Sequence, residues 1–274
     1  MIVGLIGAGN MAGALARGWA AASAGPDELL VSDADEARGR ALSEEVGGRF
    51  AGSNRELAQM ADVVVLAMKP GALAPVAEDV RVPVSERRLP VVSVLGATPI
   101  ATIERALGDG VPILRFMPNV AAEVRQGTFC WASSSSLDGR TERDLLDLFG
   151  LLGELVPVDE RLMEAATAIS GCGPAFMALV IEALTDAGVE HGLTAAQASR
   201  LAVNAMAGSA ALLASRRDDA TSVKRQVTSP GGVTAAGLAA LERAGVRAAF
   251  ADAVDAVVAR ALAAESPPSE GERK

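Results

Sequence analysis

Apolar residues fall into two regimes along the chain. Through the first half they form short, largely apolar runs at 2–6, 29–32, 62–67, 91–95 and 112–116, with two further short runs at 127–131 and 154–158. Largely apolar runs of this length, bounded by turn residues, predict strands buried on both faces of a parallel sheet. Helical spacing fills the intervals, from about 10 to 22, from Ile100 onward and, amphipathically, over 141–152. The expectation is an α/β domain, a doubly wound Rossmann sheet over 1–158.

From Glu160 on the strand pattern stops. Helices are predicted over 161–169, 174–190, 194–216, 222–227, 235–243 and 247–264. Pro174 suits the first residue of its helix, and Thr194 with Gln197 makes a capping box. Several of these helices are rich in Ala, Val and Leu around most of their circumference, and such helices must be buried. An all-α domain of about 110 residues cannot bury that many faces alone. An interlocked homodimer through 159–264 is therefore expected. Residues 265–274 are polar, contain Pro267 and Pro268, and read as a disordered tail.

Composition narrows the chemistry. Lys and Arg number 25 against 34 acidic residues, a net charge of −9. Nucleic acid is thereby disfavoured as a partner, because phosphate binding needs a basic face. With two cysteines and one histidine, a disulfide framework and a metal site are not expected. Neither a leader segment nor a membrane-spanning stretch is read, so the protein is expected in the cytoplasm, away from membranes.

Four loops carry candidate chemistry. After the first strand stand Gly7, Gly9 and Ala12 in the G-x-G-x-x-A spacing, with Asn10 and Met11 between. The first glycine makes the turn, the second lets a pyrophosphate approach the backbone, and the third small residue lets helix and strand pack. Asp33 closes the second strand, 20 residues beyond Gly13, where a carboxylate binds the ribose hydroxyls and repels a 2′-phosphate. NADH is favoured over NADPH on that ground. Asp35 can instead cap the next helix, and Arg38 and Arg40 can offset the repulsion. Ala67-Met68-Lys69-Pro70 ends the 62–67 strand on the ligand side, and Lys69 is one of only three lysines. Met117-Pro118-Asn119 ends the 112–116 strand on the same side, where Asn119 is a candidate partner for nicotinamide or substrate.

The fourth loop, Val227 to Thr234, holds Thr228, Ser229, Pro230, Gly231, Gly232 and Val233 before a helix. Proline and paired glycines make a shaped turn, and the N–H groups at a helix start favour an anion. Taken alone, SPGG is also a polar helix–helix turn. Cys172 reads as a small buried residue in a glycine-flanked turn, and His191 as a helix C-terminal residue. Trp19 and Trp131 read as packing residues.

GAGNMAG, MKP, RFMPN, ISGCGPAF and QVTSPGGVT, in that order, resemble the pyrroline-5-carboxylate reductase family over almost the whole chain. The resemblance implies reduction of 1-pyrroline-5-carboxylate to L-proline with NADPH or NADH, the last step of proline biosynthesis, by dimers that assemble further into rings. It assigns Gly7 to Ala12 to the pyrophosphate and places Ala67, Lys69, Pro70 and Asn119 near the nicotinamide. Ser229, Gly231, Gly232, Val233 and Thr234 belong to its substrate loop. Ser229 and the glycine backbone would hold the carboxylate, and the Thr234 hydroxyl would meet the imine nitrogen as the catalytic group. Cys172 stands where Ser is frequent, Leu95-Gly96-Ala97 replaces a usual Ala-Ala-Gly-like segment, and Val120 follows MPN where Thr is frequent. Two other readings stay open: a paralogous reductase of another cyclic imine or of a small 2- or 3-hydroxy acid, and a non-catalytic NAD(P)-binding sensor.

Overall fold

The computed structural model describes residues 1–216 and 219–265. From residue 266 on, the tail expected at 265–274 lies outside the described residues. Two compact units divide the chain, one of Met1–Cys172 with Val257–Lys274 and one of Gly173–Ala256.

The first unit is a twisted sheet with helices on both faces. In chain order its elements begin β1 (Ile2–Ile6), α1 (Asn10–Ala20), β2 (Glu28–Ser32), α2 (Glu36–Glu45), β3 (Arg49–Phe50), α3 (Asn54–Met60) and β4 (Val63–Leu66). They continue with α4 (Leu73–Arg87), β5 (Val91–Ser93), α5 (Ile100–Leu107), β6 (Ile113–Met117), β7 (Gly127–Ser133), α6 (Gly139–Gly150), β8 (Gly153–Pro157) and α7 (Met163–Ser170). The strand order is β3-β2-β1-β4-β5-β6-β7-β8. All neighbouring strands are parallel except β6 and β7, so β7 and β8 run against the rest.

Burial explains the apolar runs. Alternate residues of each strand feed different cores. Val3, Leu5, Val63, Val65, Leu114 and Phe116 pack under α1, α2 and α6, while Leu30, Val64, Leu66, Val91 and Ile113 pack under α3, α4 and α5. Both sets are buried, which is why the runs are continuous rather than alternating. Trp19 is a packing residue, as read: its ring meets Phe149 edge-on at 5.0 Å and its Nε1 donates to the Leu148 carbonyl. Strand β3 escaped the sequence reading because it is only two residues long and carries no apolar run.

The second unit holds α8 (Gly173–Glu190), α9 (Ala195–Arg216), α10 (Ala220–Gln226), α11 (Val233–Arg243) and most of α12 (Val246–Glu265). The capping box forms: Thr194 Oγ1 accepts from the Gln197 N–H, and Gln197 Oε1 accepts from the Thr194 N–H. Helix α8 starts at Gly173, one residue before the expected Pro174, and His191 follows its last residue. No residue of α8 is buried, and Leu179, Leu184 and Leu201 are more than half exposed. Against the expectation that no stretch reads as membrane-spanning stands one run among the described residues that meets the length and composition of a membrane-crossing helix. The helical run Glu160–Glu190 is long and apolar enough by length and composition, with a mean hydropathy of 1.5 in its best window. Its composition is that of a helix with apolar residues all round, and a second protein surface covers such a helix as well as lipid does.

Candidate active site

The first fingerprint glycine is forced twice. Gly7 has φ +105°, and a Cβ on it would stand 2.8 Å from the carbonyl carbon of Ala67. The β1–α1 turn therefore presses against the end of β4, and only glycine fits. Gly9 faces open space and is the N-cap of α1, with no side-chain cap and no acidic residue in the first turn. Uncapped N–H groups and the positive end of the helix dipole make an anion seat there. Ala12 is fully buried between α1 and the sheet.

A cleft of about 780 Å³ opens at the C-terminal ends of β1, β2 and β4. Gly7, Gly9, Asn10, Met11, Asp33, Ala67 and Lys69 line it together, as the sequence reading grouped them. Pro70 opens the 3-10 turn just beyond Lys69. Asp33 is tied down on three sides: Oδ2 accepts from the Ala8 N–H at 2.6 Å, and Oδ1 accepts from the Asp35 N–H and from Arg38 Nη2, each at 2.7 Å. Burial pushes the Asp33 carboxyl up, but the Arg38 hydrogen bond and the two backbone N–H groups outweigh it and hold it below the ordinary carboxylate range. Asp35 does cap α2, accepting from the Arg38 N–H.

The cleft also holds residues that the sequence reading did not single out. Ser32 Oγ donates to Asn54 Oδ1 at 2.8 Å, and Asn54 Nδ2 donates to Asp79 Oδ2 at 2.9 Å. All three line the cleft with Ser53 and the half-exposed Arg38. They come from β2, α3 and α4, so only the fold brings them together. The one available signal was the polar Gly52-Ser53-Asn54 turn, since Ser53 caps α3 through the Glu56 N–H.

Asn119 does not line this cleft and is 8% exposed. Its Oδ1 accepts from the N–H groups of Ala121 and Thr128, and its Nδ2 donates to the Ser170 carbonyl at 3.0 Å. In this structure the side chain is engaged by its own loop and by α7 rather than lining the cleft. The amide is largely committed to holding the loop after β6 against the end of α7.

In the second unit, the loop before α11 takes the shape its composition predicts. Gly231 lies at φ +70°, the Gly232 N–H donates to the Ser229 carbonyl at 3.0 Å, and a Cβ on Gly232 would collide with Ser229 Oγ. Gly232 is the N-cap of α11, with no side-chain cap, so the helix starts at Val233 rather than 235. Val233 is 91% exposed, and Thr234 is the second residue of the helix, partly exposed. Thr234 is therefore not an N-cap. The loop presents backbone N–H groups, the Ser229 hydroxyl and the Thr234 hydroxyl around one helix start, a set suited to a carboxylate and a hydrogen-bonding nitrogen.

Comparison with known proteins places these features in one lineage. A protein from Methanosarcina acetivorans named pyrroline-5-carboxylate reductase is 35% identical over 92% of this chain and 93% of its own. One of the same name from Synechocystis is 37% identical over 94% and 96%. The chain belongs to the pyrroline-5-carboxylate reductase family. Residues 160–264 match the model described as pyrroline-5-carboxylate reductase dimerisation, so α7–α12 are the family's dimerisation region. Residues 2–96 match the model described as NADP oxidoreductase coenzyme F420-dependent, which agrees with an NAD(P)-binding Rossmann fold. Among solved structures of the family, the Plasmodium falciparum pyrroline carboxylate reductase with NADP bound superposes with a TM-score of 0.88 at 30% identity, covering 97% of this chain and 98% of that one. The Coxiella burnetii pyrroline-5-carboxylate reductase gives 0.89 at 30% identity with the same coverage.

Proposed function

We propose that this chain reduces the cyclic imine 1-pyrroline-5-carboxylate to L-proline with hydride from NADH or NADPH, completing proline biosynthesis. The observation that carries this reading is membership of the reductase family along nearly the whole chain, with the fingerprint cleft and the SPGG loop both formed. A protonated cyclic imine is already a strong hydride acceptor, so the protein's task is orientation and preorganised polarity rather than nucleophilic attack. The bound nicotinamide supplies the hydride.

Gly7, Gly9, Asn10, Met11 and Ala12 seat the pyrophosphate, and Ala67, Lys69 and Pro70 border the nicotinamide half. Asp33 receives the adenosine ribose, which favours NADH. Its partner Arg38 reduces the repulsion a 2′-phosphate would meet, so the preference is modest. Ser229 and the N–H groups of Gly231, Gly232 and Val233 hold the substrate carboxylate. Thr234 directs its hydroxyl at the imine nitrogen, orienting it and bridging its proton. Residues 1–158 form the cofactor half and 159–264 the substrate and dimerisation half. Dimers form through that half and assemble into rings. Steady-state oxidation of NADH and of NADPH with 1-pyrroline-5-carboxylate tests the reading. Turnover with the imine supports it, and cofactor binding without imine-dependent oxidation overturns it in favour of a sensor.

A further inference from the structure

Arg115 is an anomaly in its surroundings. It sits in the middle of β6, is 1% exposed, and lies between Ile113 and Met117, which both enter apolar cores. Its Nη1 donates to Glu160 Oε1 at 3.2 Å and its Nη2 to Glu164 Oε1 at 2.9 Å. Its Nε has no hydrogen-bond partner. Glu164 is also buried, and Glu160 Oε1 additionally accepts from the Ile100 N–H at 2.7 Å, the first residue of α5. An apolar side chain would fasten a helix to a sheet at less cost than a buried guanidinium with one unmatched donor. What the ionic group adds is direction, since planar N–H bonds fix where two carboxylates lie.

The direction it fixes bears on the candidate site. Glu160 opens the 3-10 turn before α7 and Glu164 lies in its first turn, while the last residue of α7, Ser170, accepts through its carbonyl from Asn119, just beyond the end of β6. One strand and its following loop thus grip α7 at both ends, Arg115 at the start and Asn119 at the finish. That loop stands at the C-terminal end of the parallel strands, the side on which open α/β sheets bind ligands. We infer that Arg115, with Glu160 and Glu164, is a positioning group for imine reduction. It holds α7, and through it the Ser170 carbonyl and the turn that follows, in register with the Met117–Asn119 loop. The inference rests on the reductase reading for its kinetic consequence and on the geometry alone for its structural one.

The test uses the full-length protein. Arg115→Met/Glu164→Met removes the clasp while leaving no unpaired buried charge, so it folds where Arg115→Met alone can fail. Glu160→Gln keeps an acceptor for Ile100 and Arg115 and serves as the conservative variant. The expected result is a KM for 1-pyrroline-5-carboxylate raised at least about fivefold in the double variant. Its kcat should stay within about threefold and its NADH Kd within about twofold, with KM largely restored in Glu160→Gln. Amide exchange over 163–172 should rise in the double variant while that of β1 and β4 stays as in wild type. Unchanged KM in a folded double variant, or an equal loss of NADH affinity, overturns the inference. Should wild type fail to turn over the imine, the reductase reading falls. Exchange over 163–172 then decides the clasp by itself: faster supports it, unchanged overturns it.

Discussion

Thr234 is the residue on which the proposed chemistry turns, and its place in α11 sharpens the test. The N-cap is Gly232, so removing the Thr234 hydroxyl leaves the helix start as it was. Loss of a preorganised transition-state hydrogen bond typically costs about 10²–10³ in kcat. Thr234→Ala should therefore keep its NADH affinity, melt within a few degrees of wild type and lose at least about tenfold in kcat/KM for the imine, whereas Thr234→Ser retains much of it. Wild-type turnover by Thr234→Ala would assign the proton to water or to the substrate itself. Asp33 gives a second residue-scale prediction. On the proposed preference for NADH, Asp33→Ser should shift the ratio of kcat/KM values towards NADPH, and a wild type already preferring NADPH tenfold would sink the assignment. Its pH behaviour is separable. The folded carboxyl lies below its usual value, first against the pull of burial and then through Arg38 and two N–H groups. A depressed carboxyl stabilises the fold above its unfolded pKa of about 3.9 and loses that contribution as pH falls through the folded value. The melting-temperature gap between wild type and Asp33→Asn should stay level between about pH 5 and 8 and close below about pH 4.

At the scale of elements, the β1–α1 turn is the joint that makes the cofactor cleft. Gly7 combines a left-handed φ with contact against the end of β4. Gly7→Ala should cost about 1–3 kcal/mol in backbone strain. The Ala67 backbone must also move, which displaces the α1 N-terminus from the cleft. Calorimetric melting together with NADH titration checks this: a stable variant with wild-type affinity would show that the turn tolerates a side chain. Element boundaries were legible where a side chain announces them, as with Asp35 and the Thr194–Gln197 box. They were misplaced where the signal is a glycine. The Gly232 cap of α11 leaves no side-chain signature, and the helix was read as starting two residues late.

For the whole molecule, the second unit is the element that a single chain leaves unfinished. Ala198 and Ala202 are the residues of α9 that are buried, none of α8 is, and Leu179 and Leu201 remain more than 60% exposed. Burying such side chains stabilises by roughly 1.5–3 kcal/mol each, and the family's dimerisation model covers this stretch. Wild type should sediment as a dimer or a multiple of it, with a melting temperature that rises with concentration. Leu201→Asp should shift it to monomer and lower its stability. A wild-type monomer that is stable and active at low concentration would refute the dimer.

Seven of the eight strands, the helical half, the fingerprint loop and the shaped SPGG turn were legible in the chain alone. Each is a local pattern: an apolar run, a helical period, or a residue whose backbone freedom is fixed by its own covalent structure. It took the packed fold to spend the Asn119 amide on the end of α7, to bring Ser32, Asn54 and Asp79 into one cleft, and to set Arg115 against two carboxylates 45 and 49 residues away. The reason is physical. Hydrogen bonds and ion pairs are set by where several elements converge. A polar side chain in a sequence carries its donors and acceptors but not the identity of the groups that will meet them.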